Sequence, residues 1–484
     1  MKRFFFNEFN VKLVFIVATI LYCIPPLMVK MDTCINGIVL WAAVVTAMDL
    51  VKRRDILRTH SALLGYLFLA CFVCTIFFNS FASVNVKLWI YMFLQLCFFT
   101  YFDSGKSREE ILNELKQISK VITGLTLVLN LISLFLFFTG YCEVFTNSVM
   151  STELIMGRHP NSSLYGIMAN SNWTSFLELT NIGLLCFKGR IEGRMRAREI
   201  LTLALCAAVL FLTNSRGGLI GLLVFIMADR GIGVLSWLRE KRKKAGMCLL
   251  ALPVLLALSL AGNSAVKAVS GEIYGFTRAM KTTVSHADNP AEKSKSQVKT
   301  GENKKASPKV SIKRDETERD GSTSVRLELW KAGIEVIQEN SPVGLGGERL
   351  GEHVYEKLSE NTQVDSLSLA ANTHNIFIQT ALTAGVAGML CLLAYIIRDL
   401  LYGALYLFRC HAEENVKDAV TALISLLAGY LVINLVEADI FMSRNFMSCL
   451  FWILLGYMTR IVQLSVKVRG DKNETYIHHT CTLE

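Results

Sequence analysis

The chain has 484 residues, of which 52% are hydrophobic and 19% are charged, and its net charge is +10. Soluble domains carry about 25% charged residues, and here the apolar residues are gathered into long blocks, which excludes an ordinary soluble domain. The basic residues lie in short segments between the blocks. Basic residues in such segments set the orientation of a membrane protein in the bilayer. The positive net charge therefore does not predict a nucleic-acid partner.

Most of the apolar blocks are long enough to cross a bilayer, because about 18 apolar residues span its hydrocarbon core as a helix. In a helix the backbone hydrogen bonds are made within the segment, as the absence of water in the core requires. The predicted fold class is all-α, a polytopic integral membrane protein with about twelve transmembrane helices. Only 7 prolines occur, so mostly uninterrupted helices are expected. The predicted spans are 11–29, 33–51, 61–79, 84–102, 121–141, 165–187, 200–212, 218–228, 247–265, 375–397, 419–436 and 445–462.

Lysine and arginine are distributed unevenly over the connections between these spans. The connections after even-numbered spans are basic, as in 188–198 and 230–244, whereas the short alternate ones are nearly free of basic residues. Because cytoplasmic loops carry the excess of Lys and Arg, both termini are placed in the cytoplasm and the protein in the inner membrane. Lys2 and Arg3, with the apolar stretch behind them, are interpreted as the first anchor and not as a removed signal peptide.

One connection, 266–373, is much longer than the others and is predicted to be an extracytoplasmic loop. Its lysines do not oppose that placement, because long loops cross the membrane regardless of charge. The chain therefore divides into spans one to nine (1–265), this loop, spans ten to twelve (374–466) and a cytoplasmic tail (467–484).

The long loop has two parts of different composition. Residues 286–325 are rich in Lys, Ser, Glu and Asp, and they are predicted to be disordered because they hold too few apolar side chains to bury a core. In residues 326–358, apolar side chains such as Leu327 and Trp330 recur at helical spacing. This pattern predicts an amphipathic helix against the outer face of the bundle, ending near Asn340.

A tight turn between the seventh and eighth spans holds the first candidate site. Arg216 offers five donors in a fork that fits phosphate oxygens, and Asn214 and Ser215 precede it. The helix N-terminus that follows favours anions. The alternative interpretation is an arginine whose side chain reaches the lipid headgroups as an ordinary flank.

Two further candidates are the residue that opens the helical part of the loop and the histidine that follows the loop. Arg326 opens the predicted amphipathic helix, and by itself it is more typical of a solvated charge. His374, just before span ten, is a candidate general acid or base near neutral pH, and Asn375 is a candidate to hold a sugar hydroxyl. The alternative for this pair is a helix cap beside a boundary histidine.

Acidic residues at membrane depth form the last group. Glu178 lies near the middle of span six on a polar face, and it either lines a substrate-binding cavity or pairs with another helix. Glu437 and Asp439 end span eleven, where they bind a cation or, more simply, form an ion pair with Arg444. The sequence contains no P-loop, GxSxG, HExxH, DxD or zinc-ligand spacing, so neither a metal ion nor a cofactor is predicted.

Three segments, in this order, resemble the signature regions of the O-antigen ligase and polymerase superfamily: LTNSRGGLIGLL (212–223), RLELWKAGIEVIQENSPVGLG (326–346) and THNIFIQTALTAGVAGMLCLL (373–393). The resemblance covers approximately residues 200–395 as motifs and the whole chain as topology. It implies a metal-independent glycosyltransferase with a GT-C-like helical bundle in the bacterial inner membrane. Such an enzyme takes a glycan from undecaprenyl pyrophosphate on the outer face.

The resemblance also implies roles for individual residues. The family's essential arginine in the SRG turn corresponds to Arg216, its loop arginine to Arg326 and its histidine to His374, and these are the expected catalytic residues. Two arginines would neutralise a lipid pyrophosphate as it leaves. Some polymerases carry Arg-x15-Gly repeats, whereas here Arg326 reaches Gly344 only after seventeen residues. The expected substrate-binding residues are Asn214, Ser215, Asn375 and Glu178.

Three functions remain open at the level of sequence. A polymerase joins one lipid-linked repeat to another, a ligase moves the finished glycan to a lipid A core or to a protein, and the donor is the same for both. Polymerase is slightly favoured because it needs no outer membrane. A transporter of lipid-linked sugars is disfavoured, because the sequence indicates neither repeated halves nor helices broken at mid-membrane.

Overall fold

The computed structural model describes residues 5–79, 83–147, 152–159, 163–240, 253–273, 316–340, 343–348, 350–361, 372–409 and 413–472. Within these ranges the chain forms 14 helices and one small sheet. In chain order the helices are α1 (Glu8–Tyr22), α2 (Met28–Lys52), α3 (Ala62–Phe78), α4 (Ser83–Phe93), α5 (Arg108–Thr139), α6 (Ser171–Ile191), α7 (Ala197–Leu212), α8 (Arg216–Glu240), α9 (Pro253–Ile273), α10 (Glu316–Asn340), α11 (Leu350–Asn361), α12 (Ile376–Arg409), α13 (Glu414–Asn434) and α14 (Phe446–Lys472).

Seven of these helices are long and apolar enough to cross a membrane, namely α2, α5, α8, α9, α12, α13 and α14. Helices α3 and α4 are apolar but shorter, and a π-helical turn, Leu94–Phe98, extends α4. Each span predicted from the sequence overlaps a helix of the structure. The chain is therefore a multi-pass membrane protein, in which seven helices meet the length and composition of a span by themselves.

Helices α13 and α14 lie at the centre of the bundle. In each, 72% of the most apolar window is buried by other helices, whereas the corresponding value is 11% for α9. Trp452 on α14 is fully buried and packs edge-on against Tyr395 of α12, with ring centroids 5.4 Å apart. A helix that is apolar all round is expected in such a position. Helix α9 by contrast presents most of its surface outwards.

Glycines allow α8 and α13 to pack closely against each other. A Cβ atom added at Gly429 would lie 2.9 Å from the backbone oxygen of Gly221, and one added at Gly221 would lie 2.4 Å from Cδ1 of Ile433. Small residues at helix interfaces are typical of membrane bundles, because without a hydrophobic driving force association depends on close packing.

A three-stranded antiparallel sheet interrupts the helical order between α5 and α6. Its strands are β1 (Cys142–Asn147), β2 (Thr152–Arg158) and β3 (Leu164–Gly166), in the spatial order β1-β2-β3. The sequence pattern predicts only helices here, because these strands are short and lie in the connection between two helices. Leu164 of β3 is buried against Phe137 and Leu212, which attaches the sheet to the ends of α5 and α7.

The long connection before α12 carries helices α10 and α11. Helix α10 ends at Asn340, as the sequence predicted, and it begins at Glu316, ten residues before Arg326. The segment 286–325, predicted to be disordered, lies outside the described residues up to residue 315 and is helical from Glu316. Leu329 and Val336 of α10 are buried together with Leu382 of α12, so α10 packs on the first part of α12.

Helix α12 is broken at Gly385, whose backbone angles are φ 76° and ψ 168°. The sequence analysis found no broken helix and used that as evidence against a transporter, and the structure corrects this point. Gly385 lies nine residues beyond Ile376, about 14 Å along the helix axis. Glycine adopts a positive φ without strain, but nothing near Gly385 in the sequence distinguishes it from a glycine inside a regular helix.

Replacing Gly429 by alanine is expected to lower the free energy of unfolding by about 1–3 kcal/mol, because the new methyl group would meet backbone of α8 that cannot give way locally. The matched control is Gly37→Ala on α2, where nothing lies within 4 Å of the new Cβ. Thermal unfolding of the detergent-solubilised protein, followed by tryptophan fluorescence, measures both variants. Equal unfolding midpoints would contradict the close approach of α8 and α13.

Candidate functional site

Glu437 is the centre of the candidate site. It lies in the connection between α13 and α14 and is 6% exposed. Its Oε1 atom accepts hydrogen bonds from Arg326 Nη2 at 2.7 Å and from Asn172 Nδ2 at 2.8 Å, and its Oε2 atom lies 2.7 Å from His374 Nδ1. The carboxylate thereby joins four parts of the structure. These are α10, the start of α6, the residues just before α12, and the connection between α13 and α14.

Arg326 reaches this carboxylate from α10. Its Nη1 atom also donates to the carbonyl oxygen of Val436 at 2.8 Å. Two of its five N–H donors are assigned in this way, and the side chain is 32% exposed. Arg326 is therefore not a solvated charge: it is held in one orientation with donors left for a ligand.

Two hydrogen bonds fix the position of His374 just before α12, one at its side chain and one at the neighbouring backbone. Its backbone has φ 50°, a left-handed conformation that non-glycine residues adopt uncommonly. The indole Nε1 of Trp330 donates to the carbonyl oxygen of Thr373 at 2.8 Å, which ties this connection to α10. The His374 side chain is 30% exposed while its Nδ1 atom lies on Glu437. The Nε2 edge is thus the part of the ring available to a ligand.

The turn before α8 joins the same network through Asn172. Ser215 Oγ donates to Asn172 Oδ1 at 2.8 Å, and the Asn172 amide group donates on to Glu437. Ser215 also caps α8, because its Oγ atom accepts from the backbone N–H of Gly218 at 3.0 Å. Asn170 caps α6 in the same way and so fixes where Asn172 lies.

Arg216 is the first residue of α8 and is exposed. Among the described residues, its guanidinium has neither a hydrogen bond nor an ion pair. It therefore stands next to Ser215 with all five donors available at the N-terminus of a 25-residue helix, a combination that favours an anion.

The remaining predicted residues have structural partners. Asn214 donates to Ser163 Oγ at 3.1 Å, which joins the turn to the connection before β3. Asn375 caps α12 through its Oδ1 atom and donates to the Leu435 carbonyl oxygen at 3.0 Å. Glu178 is fully buried and accepts from Asn130 Nδ2 of α5 at 2.9 Å. The structure thus contains the bond between helices, and the substrate-binding role of Glu178 stays a prediction.

Arg444 does not form the ion pair with Glu437 and Asp439 that the sequence favours. That side chain forms an ion pair with Asp32 of α2, with 2.6 Å between Nη1 and Oδ1. Glu437 pairs with Arg326 and His374 instead, and Asp439 accepts from Asn445 Nδ2 at 3.0 Å. Proximity along the chain suggested the pair with Arg444, whereas the packing of α10 and of the residues before α12 against this connection supplies the partners of Glu437.

Asn172 is the residue of this network that the sequence analysis missed. It begins the polar face of α6, one residue after Ser171, but nothing in its own neighbourhood distinguishes it from a helix-capping asparagine. Only the contact of α6 with the turn before α8 shows that it links Ser215 to Glu437.

The two acidic residues of the connection have opposite pKa shifts. Burial raises the pKa of Glu437, but the hydrogen bond and charge of His374 and the charge of Arg326 outweigh it, so this pKa lies below its ordinary value. Desolvation, helped by the Glu437 charge, raises the pKa of Asp439 to about 7. Glu437 is therefore an anion at neutral pH, while Asp439 gains or loses a proton there.

The bundle is that of a multi-pass membrane protein, and Arg216, Arg326 and His374 lie at one end of it. Residues 201–393 match the family model described as Wzy_C, O-antigen ligase. The chain therefore carries an O-antigen ligase family domain, which confirms the resemblance seen in the sequence. A search of curated proteins found no match.

The matched domain is of the O-antigen ligase or polymerase type, a class of membrane enzymes that transfer glycans and use lipid-linked glycan substrates. It contains Arg216, Arg326 and His374. Glu437 and Asn172, which join these residues, lie outside the matched range.

Asp439→Asn is expected to change how stability depends on pH. A carboxyl group whose pKa is raised in the folded state keeps a proton that the unfolded chain releases. Its contribution to stability is complete below the unfolded pKa of about 4 and is lost as the pH rises to about 7. The variant should therefore lose less stability than wild type between these two values.

Thermal unfolding of the detergent-solubilised protein across this pH range measures the difference. Glu109→Gln, an exposed carboxyl group at the start of α5, is the control. If Asp439→Asn and wild type gave parallel profiles, Asp439 would titrate as an ordinary aspartate.

Proposed function

We propose that the protein transfers glycan units from undecaprenyl pyrophosphate to an acceptor sugar on the outer face of the bacterial inner membrane, as a surface polysaccharide or O-antigen polymerase. The observation that carries the proposal is the junction of Arg326 and His374 on Glu437, with the Arg216 turn joined to it through Asn172. The alternative is a ligase that attaches the finished glycan to a lipid A core or to a protein. Both would use the same donor chemistry.

The two arginines fit the leaving group of this reaction. When the bond between the anomeric carbon and the pyrophosphate oxygen breaks, its electron pair stays on the lipid pyrophosphate and negative charge develops there. Arg216, which has all its donors available, and Arg326, which has donors beyond those on Val436 and Glu437, would stabilise that charge. The N-terminus of α8 adds to the same field.

His374 fits the acceptor side. A carboxylate on Nδ1 favours the tautomer in which Nδ1 carries the proton and Nε2 accepts one. As the acceptor hydroxyl oxygen bonds to the anomeric carbon, its proton would pass to Nε2. Glu437 would orient the ring and balance the imidazolium, the part that a carboxylate takes beside a catalytic histidine.

The other acidic residues are weaker candidates for the base. Glu437 already accepts three hydrogen bonds and has a lowered pKa, so it is a poor proton acceptor. Glu178 is fully buried and bonded to Asn130. Asp439 has a pKa near neutrality and is the reserve candidate.

The proposed reaction needs no metal ion, because arginine supplies the positive charge at the leaving group. Within the described residues, no group of three or more His, Cys, Asp and Glu side chains is placed to hold one. Asn214, Ser215 and Asn375 would then shape the site around the substrate rather than bind a cofactor.

The ends of the helices support the proposed placement of the site at the outer face. Arg216 begins α8, His374 precedes α12 and Glu437 follows α13, so all three lie at one end of the bundle. The opposite end holds ion pairs of the basic connections, such as Lys188 with Glu199 at 2.6 Å and Arg190 with Asp229 at 2.5 Å. Because basic connections lie in the cytoplasm, we infer that the site faces the outer side. With about twelve spans, an even number, both termini would then be cytoplasmic.

The break in α12 does not support the transporter alternative. In transporters, the backbone freed by a broken helix coordinates the substrate. Here the carbonyl groups freed at Gly385 accept hydrogen bonds from the long loop, from Leu345 N at 2.7 Å and Gly346 N at 3.0 Å.

Arg216→Ala, Arg326→Ala and His374→Ala are each expected to lower glycan transfer at least roughly 100-fold, the cost of removing one positioned charge or proton acceptor. The gene is deleted in its host and restored as wild type or variant, and surface and lipid-linked glycans are separated on a gel. Arg398→Ala, an exposed arginine on the far half of α12, is the matched control.

The glycan that accumulates also separates polymerase from ligase. Single repeats on the lipid carrier mean a polymerase, and long unattached chains mean a ligase. Normal glycan from all three variants, each shown to be inserted in the membrane, would overturn the site and favour transport.

Glu437→Gln is expected to lower turnover roughly 100-fold, because a neutral amide no longer holds the His374 ring as a proton acceptor. Glu437→Asp keeps the charge and should retain more activity than the glutamine variant. The rate as a function of pH, measured with purified enzyme and lipid-linked donor, gives the answer. Equal turnover of the glutamine variant and wild type would reduce Glu437 to a packing role.

A further inference from the structure

A short part of the long loop is inserted between three helices of the bundle. Residues 343–347, here called the anchor segment, follow α10 and lie against α3, α4 and the break in α12. The sequence of this segment, Val-Gly-Leu-Gly-Gly, has few side-chain atoms, so its contacts are made mainly by backbone.

The anchor segment completes the hydrogen bonds of the broken helix. The carbonyl oxygens of Leu382 and Thr383 lose their helical donors at Gly385, and they accept instead from Leu345 N and Gly346 N. Gly344 makes this approach possible. Its φ is 76°, and a Cβ atom there would lie 2.3 Å from the backbone nitrogen of Gly385.

Three polar side chains hold the other side of the anchor segment: Thr75 of α3, Asn79 directly after α3, and Asn85 of α4. Thr75 Oγ1 donates to the Val343 carbonyl oxygen. Asn79 Nδ2 donates to the Gly344 carbonyl oxygen at 2.8 Å, and Asn85 Oδ1 accepts from Gly347 N at 2.8 Å. Thr75 and Asn85 are fully buried. The transfer chemistry proposed above uses none of these three residues.

Helix α10 and the first part of α12 form one packed unit above the anchor segment. A Cβ atom added at Gly333 of α10 would lie 2.9 Å from Cγ2 of Ile378, and Trp330 is bonded to the Thr373 carbonyl oxygen. This unit carries Arg326 and His374. The rest of the bundle carries Glu437 and, through Ser215 and Asn172, the Arg216 turn.

We propose that the anchor segment sets the position of Arg326 in the transfer site, with Gly344, Thr75 and Asn85 as positioning residues. The α10 helix from Arg326 to Asn340 is about 21 Å long. A tilt of about 5° at the anchor segment would therefore move Arg326 by about 2 Å, more than a hydrogen bond to Glu437 or to a phosphate tolerates. The inference rests on the proposed function, because it takes a lipid pyrophosphate as the ligand of Arg326.

A double-mutant cycle on ligand binding tests the proposal. Wild type, Gly344→Ala, Arg326→Ala and the double variant are placed in lipid nanodiscs, and the dissociation constant of undecaprenyl pyrophosphate is measured by microscale thermophoresis. Gly344→Ala is expected to weaken binding roughly 10-fold, the loss of one charge-assisted hydrogen bond. In the Arg326→Ala background the same substitution should weaken binding no further, because the residue that it misplaces is already gone.

The results distinguish a failure of the positioning role from a failure of the proposed function. If Arg326→Ala binds like wild type, the proposed function fails. If Arg326→Ala weakens binding and Gly344→Ala does not, the proposed function stands and the positioning role is overturned. Additive losses in the double variant would also overturn it, because a purely structural defect multiplies in both backgrounds.

A second pair of variants keeps the test valid if Gly344→Ala fails to fold. Thr75→Val removes the hydroxyl donor at nearly constant shape, and Thr75→Ser keeps it. The valine variant is expected to weaken binding by several-fold and the serine variant to match wild type, and equal affinities would overturn the proposal. Gly124→Ala on α5, where nothing lies within 4 Å of the new Cβ, is the control for a glycine substitution in a helix.

Discussion

The carboxylate of Glu437 is nearly buried, and a buried charge is tolerated only when it is paired and hydrogen-bonded. Arg326, His374 and Asn172 meet that requirement, and each comes from a different part of the chain. This end of the bundle is therefore arranged around one acidic side chain. The elements that it joins are those that carry the residues proposed to bind the donor and activate the acceptor.

Backbone carbonyl groups at the break in α12 also need hydrogen-bond partners. Backbone groups freed from a helix near membrane depth must find partners, and the anchor segment provides them. The same segment follows α10, the helix that carries Arg326. The break and the ionic junction are thus connected, because both depend on where the long loop returns to the bundle.

Much of the fold could be predicted from local signals. Long apolar blocks indicated the helices, and Asn340 with the residues after it indicated the end of α10. The glycines and the sheet were harder, since Gly385 looks like any glycine in an apolar run and β1 to β3 are too short for a clear alternation. A matched domain over 201–393 agrees with the motifs at Arg216, Arg326 and His374.

The sequence by itself determined the membrane character of the chain, the order of its helices and the residue types suited to a pyrophosphate, because hydropathy, charge distribution and side-chain chemistry are local properties. Only the tertiary structure decided the pairings. Glu437 bonds to Arg326, more than a hundred residues away, rather than to nearby Arg444, and Asn172 links two motifs that do not contain it. Such pairings depend on which buried polar groups the packed helices bring within hydrogen-bonding distance, and no local pattern encodes that distance.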